Sequence, residues 1–221
     1  DINTMENGPS LASSEKNERD KSIDFHKKWI DVASEIGCHS IRVNLRSNES
    51  NTDKILDNSS KSISKLIDHS SSQGVSIVVE NHGGITGDAD WLVSLMTNIN
   101  NDYVGTLPDF GSYNFCVKRG ELNFEGLTGE CENQYDKYKG VKKLLPFAKG
   151  ISAKSHEFNS MGEETSTDFS RMMDIISSSS YKGYITIEYE GAMMKMFGGI
   201  GDYLDPHDGV QATKSLINKY I

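Results

Sequence analysis

The chain has 221 residues, of which 36% are hydrophobic and 25% charged, a composition suited to one globular domain with a substantial core and not to a disordered segment. A formal net charge of −9 argues against a nucleic-acid surface, which needs clustered Lys and Arg. No apolar run approaches the ~18 residues of a membrane span, so a small or neutral partner fits better than a polyanion or a bilayer.

In chain order, residues 1–19 are polar, with Asn7-Gly-Pro and Ala12-Ser-Ser, and read as a long loop. Residues 22–36 follow as a helix, because Phe25, Trp29, Val32, Ala33 and Ile36 recur at three and four residues and Gly37 stops it. Residues 39–45 read as a strand in which Ile41 and Val43 face one way and Arg42 and Asn44 the other. Residues 53–73 carry Ile55, Ile63, Leu66 and Ile67 in a second helix that ends at Gly74. The run Val75-Ser-Ile-Val-Val-Glu80 is too short for a helix and suits a strand buried on both faces, ending on a carboxylate, His82 and paired glycines. A helix over 88–98 and a short run from Gly105 to Asp109 come next.

Residues 110–134 form an unusually long stretch rich in Gly, Asn and charge, the length expected of a lid or binding loop. Cys116 and Cys131 lie within it, flanking one loop, and either pair in an exported protein or remain free thiols in a cytosolic one; Asp1 is not a methionine, so the compartment stays open. Then come a helix over 135–148 interrupted at Pro146, a strand carrying Lys154 and His156, a helix over 166–177, a strand carrying Glu188 and Glu190, and a last helix over 210–220. Segment 193–199, Met-rich and closed by two glycines, reads as a cover over a site. Trp29, Trp91 and the Met172–Met173 pair sit at helical spacing and read as core, and His26, His69 and His207 receive no role.

Strand and helix alternate, which predicts parallel βαβ units in a single domain spanning residues 1–221. The polar clusters all lie at the same end of their strands: Glu80, Asp109, Lys154 with His156, and Glu188 with Glu190. Closing such strands into a (β/α)8 TIM barrel gathers those ends at one mouth. Four clear strands plus the one near His39 are too few for eight, and such a barrel takes ~250 residues, so the expectation is an α/β barrel whose first strands are missing from this chain. One such strand end on its own would read as a salt-bridge network; the repetition makes it a candidate site.

The motifs His26-Lys-Lys-Trp-Ile-Asp-Val-Ala, Gly37-Cys-His-Ser-Ile-Arg-Val-Asn44, Val79-Glu-Asn-His-Gly-Gly84, Gly105-Thr-Leu-Pro-Asp-Phe-Gly111, Ser152-Ala-Lys-Ser-His-Glu-Phe158 and Gly183-Tyr-Ile-Thr-Ile-Glu-Tyr-Glu-Gly191 resemble the xylose-isomerase-like TIM-barrel superfamily, the sugar phosphate isomerases and epimerases. The resemblance runs from Phe25 to the C-terminus. It implies one divalent metal ion held by Glu80, Asp109 and Glu188, with Glu80 and Glu188 also serving as catalytic base and acid. The family's fourth ligand stands in a His-x-Lys pattern, and here Ser152 occupies that place. His156 shares a strand face with Ser152 and Lys154, which makes it the candidate fourth ligand, with a substrate contact or a structural role as alternatives. Ser112 stands where many epimerases carry a second His after the Asp, a departure from the ketose 3-epimerases.

The chemistry implied is proton abstraction next to a sugar carbonyl through an enediolate. Three carboxylates and an imidazole suit Mn²⁺, Mg²⁺ or Co²⁺, with Zn²⁺ as an alternative. Asn44, His82 and Lys154 are the candidate substrate contacts; Lys154 reads equally as a counter-ion of Asp109 or Glu188, and His82 as a residue that orders the glycine turn. The expected partner is a small carbohydrate, and a homodimer is compatible with the pattern. Competing readings are a barrel that binds carbohydrate without turning it over, a metal-dependent phosphodiesterase of the apurinic-endonuclease type, against which the acidic balance counts, and dehydration of an inositol-type keto sugar by the same proton abstraction.

Overall fold

The computed structural model describes residues 2–3, 10–119, 131–196 and 198–221. Four parallel strands form one sheet in the order β1 (Ile2–Asn3), β2 (Ser40–Val43), β3 (Ser76–Glu80), β4 (Val104–Leu107). Helix α1 (Lys16–Glu35) precedes β2, α2 (Thr52–Ser72) lies between β2 and β3, and α3 (Ala89–Ile99) between β3 and β4. Past β4 the chain makes an antiparallel hairpin, β5 (Cys116–Arg119) with β6 (Cys131–Gln134), and then resumes with α4 (Lys137–Leu144), β7 (Ile151–Ser155), α5 (Phe169–Ser177), β8 (Ile185–Tyr189), α6 (Gly191–Met196) and α7 (Pro206–Tyr220).

Strand β7 pairs with β8 in parallel, Lys154 opposite Glu188. Two bridges, Thr106 to Ala148 and Asp109 to Ser152, tie β7 to the end of β4; the Ser152 amide donates to Pro108 O at 2.9 Å and the Phe110 amide to Ser152 O at 3.2 Å. Six parallel strands therefore follow one another in an arc. The arc curls far enough for the His39 ring, just before β2, to stack on Tyr184, just before β8, at 5.7 Å. The sheets do not close among the described residues, and the far edge of β8 has no strand partner there.

Alternation along the strands decides what the two faces hold. Ile41, Val43, Ile77, Val79, Val104, Ile151 and Ala153 belong to the core under the helices, so Arg42, Val78, Glu80, Ser152 and Lys154 occupy the opposite, inner face. The helices complete that core with apolar stripes, such as Ile55, Ile63 and Leu66 on α2 and Phe169, Met172, Met173 and Ile176 on α5. Side chains of Asn51, Asp88, Asp136, Asp168 and Asp205 cap the starts of α2, α3, α4, α5 and α7, satisfying amides that have no partner within the helix. No helix among the described residues is long and apolar enough to cross a membrane.

Three local expectations differ from what is found. Helix α1 starts at Lys16, inside the segment read as loop, because its first turn is held by polar pairing rather than an apolar stripe: Lys16 to Asp20 at 2.5 Å, Lys21 to Glu18 at 2.8 Å, and Arg19 donating to Ser13 O at 2.7 Å. Strand β1 also lies in that segment. The alternation of strand and helix is broken by the β5–β6 hairpin, where the long loop was expected; the first residues of its two strands are joined by the Cys116–Cys131 disulfide, and residues 120–130 of the expected lid lie outside the described ones. Residues 193–196 of the Met-rich cover lie in helix α6, and residue 197 lies outside the described residues.

Candidate functional site

Strands β3, β4, β7 and β8 deliver their terminal side chains to one place. One carboxylate oxygen from each of Glu80, Asp109 and Glu188 falls within 4.8 Å of the other two. Glu80 and Asp109 are fully buried, whereas Glu188 is a third exposed. Two buried cations face them: Arg42 Nη1, from the inner face of β2, lies 2.7 Å from Glu80 Oε2, and Lys154 Nζ lies 3.4 Å from Glu188 Oε1 and 3.6 Å from Asp109 Oδ2. Ser152, also on the inner face of β7, donates its hydroxyl to Glu188 Oε2 at 2.6 Å.

The electrostatics divide along the same line. Burial, with the Asp109 charge adding to it, pushes Glu80 up to about 8 against the pull of Arg42 and Lys154. Burial also pushes Asp109 up to about 7, reinforced by Glu188 and opposed by Lys154 and by the Gly111 amide. At Glu188 burial acts upward too, but Lys154 and the Ser152 hydroxyl outweigh it and hold the carboxyl below its ordinary value. Burial alone would lower Lys154; Asp109, Glu188, Glu190 and Glu80 together raise it instead, so the ammonium stays charged.

Backbone geometry fixes Asp109 and the turn after Glu80. The Asn81 side chain accepts from the Asp109 amide at 2.8 Å and donates to Asp109 O at 3.1 Å, locking the end of β4 to the end of β3. Gly111 donates its amide to Asp109 Oδ1 at 2.7 Å; a Cβ there would stand 2.8 Å from Asn114 Oδ1, 2.9 Å from Asp109 Oδ1 and 2.9 Å from Lys154 Cδ, which excludes any larger residue without movement of the site. Gly83 turns the chain with φ +70, and its amide is taken by Asn114 O at 3.0 Å.

The other expected site residues are distributed as follows. His82 lies at the rim, its ring edge-on to Tyr113 at 6.0 Å, while the Arg119 guanidinium covers Tyr113 from 3.0 Å; its backbone amide donates to Thr86 Oγ1, so the residue also orders the glycine turn. Asn44 follows β2, with both side-chain amide atoms buried and without hydrogen bonds. Lys154 is both counter-ion and lining group. His156 is drawn to Glu190, Nε2 to Oε2 at 3.4 Å, and stands apart from the three-carboxylate group. Of the histidines given no role, His26 is buried on α1 with Nδ1 2.7 Å from Ser22 O, and His69 pairs with Asp31 at 2.7 Å.

Four residues of the cluster were not singled out as site residues from sequence. Arg42 and Glu190 were visible there as inward-facing and strand-end charges, and Ser152 as a departure from the His-x-Lys pattern. Asn114 gave no signal, because it falls in a stretch read as loop; it is fully buried, and both its amide atoms lack a hydrogen-bond partner.

The site fits a divalent cation by its donor chemistry. Three oxygens no more than 4.8 Å apart all lie within about 2.8 Å of a common point, close to the range of hard-cation ligand distances. Glu80 Oε1 is buried without a hydrogen bond, and Glu80 Oε2 and Asp109 Oδ2 meet only the cationic side chains of Arg42 and Lys154; a buried carboxylate oxygen lacking a hydrogen bond is expensive unless a cation satisfies it.

Parallel strands wrapped by helices, with a charged cluster gathered at their C-terminal ends, define an α/β barrel of the kind that keeps its chemistry at that mouth. The chain belongs to the xylose isomerase-like TIM barrel family, whose pattern matches residues 2–218. Among solved structures it is similar to a D-tagatose 3-epimerase-like protein (14% identity, 99% of this chain and 75% of that one, TM-score 0.71). It is also similar to the 3-keto-D-glucoside 4-epimerase YcjR from E. coli (12% identity, 98% and 77%, TM-score 0.68) and to the IolI protein with a zinc atom (12% identity, 95% and 75%, TM-score 0.64). No curated protein matches the chain by sequence.

Proposed function

We propose that the protein is a divalent-metal-dependent isomerase or epimerase of a sugar or sugar phosphate. The observation that carries this reading is the meeting of Glu80, Asp109 and Glu188 from three strand ends, with buried oxygens left for a cation. The names of the structural neighbours, sugar epimerases and a zinc-containing protein, support it in substrate class and cofactor.

A bound Mn²⁺, Mg²⁺ or Co²⁺, or Zn²⁺ in their place, supplies Lewis acidity toward the carbonyl and its neighbouring hydroxyl. Glu80, Asp109 and Glu188 hold the ion, with His156 as fourth ligand if its ring leaves Glu190. Glu188 is the ionised carboxylate with access to the open side, and it removes the proton next to the carbonyl. Glu80, on the opposite side of the substrate, returns a proton on the other face. Lys154 keeps its charge and steadies the oxygen that becomes anionic in the enediolate. Asn44 and His82 bind sugar hydroxyls.

The test is metal analysis of the purified protein together with exchange of carbon-bound hydrogen in deuterated water across a panel of ketoses. About one divalent ion per chain is expected, with exchange on at least one sugar that falls by about 10³ in Glu188→Gln. Absence of both metal and exchange would leave a carbohydrate-binding barrel, the reading favoured by Lys154 already sitting on the carboxylates.

A further inference from the structure

Glu190 has no part in that reaction, yet it is built into the cluster. It follows β8, with Oε1 3.2 Å from Lys154 Nζ and Oε2 3.4 Å from His156 Nε2. Lys154 is thus shared among three carboxylates, and two of them, Asp109 and Glu188, offer the oxygens a divalent cation would take.

An ammonium and a dication held against the same two carboxylates repel one another strongly in a buried site. Lysine carries its charge on a flexible four-carbon stem and can change partners without moving the backbone. Glu190 is partly exposed, at 27%, whereas Asp109 is fully buried.

We propose that Glu190 is a positioning residue of the cation site, the second anchor to which Lys154 is handed when a divalent cation takes Asp109 and Glu188. Lys154 is then the resident counter-ion of the metal-free protein, and the Lys154–Glu190 pair sets the affinity for the metal. The inference rests on the reading of the site as one that takes a divalent cation.

Calorimetric titration of the metal-stripped full chain with Mn²⁺ tests it on four proteins: wild type, Lys154→Met, Glu190→Gln and the double variant. Lys154→Met is expected to bind Mn²⁺ at least tenfold more tightly, because the competing charge is gone. Glu190→Gln is expected to bind about tenfold more weakly, because Lys154 has lost its alternative anchor, and the Glu190 effect should vanish in the Lys154→Met background. A Glu190 effect that persists in full in that background would show a through-space charge or a route through His156, and the inference falls. If Lys154→Met does not fold, Glu190→Asp decides: it keeps the anchor and should restore affinity to within about threefold of wild type, and a loss as large as that of Glu190→Gln overturns the proposal. Mn²⁺ binding by wild type with no change in any variant removes this inference alone; no binding by any of the four removes the metal-dependent function with it.

Discussion

The two halves of the candidate site are built to opposite rules. On the β3–β4 side, Glu80 and Asp109 have no exposed surface and Lys154 from β7 has 5%. On the β8 side, Glu188 and Glu190 keep 33% and 27% of their side chains exposed, on a strand whose far edge is unpaired among the described residues. The first half carries charge in a place that punishes it, so its carboxyls are pushed up and each must be matched by Arg42, Lys154 or an added cation. The second half keeps its carboxyls ionised and open to a ligand. Burial makes a cation worth binding, and exposure makes the site reachable.

The sharpest way to break the comparison is to remove one charge from each side. Lys154→Met strands buried carboxylates, and we expect a loss of about 3–5 kcal/mol in urea denaturation of the metal-free protein; addition of Mn²⁺ should recover part of it through binding to the folded state. Glu188→Gln, on the open side, should change stability by about 1 kcal/mol or less while removing isotope exchange. Equal losses in the two variants would show that the two sides do not differ in dielectric environment. Next in size is the clip on the hairpin. Cys116 and Cys131 close 15 residues, which the chain-entropy account values at about 3 kcal/mol, so the double Ser variant should lose between about 2 and 4 kcal/mol in the same assay. No loss would mean that the hairpin opens independently of the β3–β4 half, although Gly87 packs against the Cys116 backbone.

The legibility of the two halves in the sequence also differed. Strand β3 is legible as a run of β-branched residues ending on Glu80, and the repeated placement of polar residues at strand ends points to Asp109, Lys154 and Glu188, which the structure gathers in one place. Parallel strands with alternating faces make that inference reliable. The antiparallel hairpin and Asn114 were not legible, because a stretch rich in Gly, Asn and charge has no periodicity to read, and its shape depends on a disulfide that sequence left open. The first turn of α1 escaped for a related reason, since ion pairs rather than an apolar stripe hold it. The partner of His156 could not be read either. Strand alternation put it on the face of Ser152 and Lys154, but β7 ends at Ser155, so alternation no longer dictates its direction and the charge of Glu190 does.

The smallest expected effect concerns Asn114, the buried half's neutral polar group. Its backbone is fully used, donating to Gly111 O at 3.1 Å and accepting from Gly83, but its side-chain amide has no partner. An orphaned buried amide costs about 1–3 kcal/mol that an apolar side chain of similar size would not, partly offset by imperfect packing of the replacement. Asn114→Leu should therefore leave the metal-free protein as stable as wild type or raise it by about 1 kcal/mol, a shift of roughly 2–4 °C in melting temperature for a chain of this size, while weakening binding of the ligand that the amide serves. Such a gain in stability with a loss in binding is what a polar group retained for function predicts. A melting temperature lowered by more than about 6 °C would instead show that the amide is satisfied within the folded protein, and the buried half would then owe its order to a hydrogen-bonded network as well as to its paired charges.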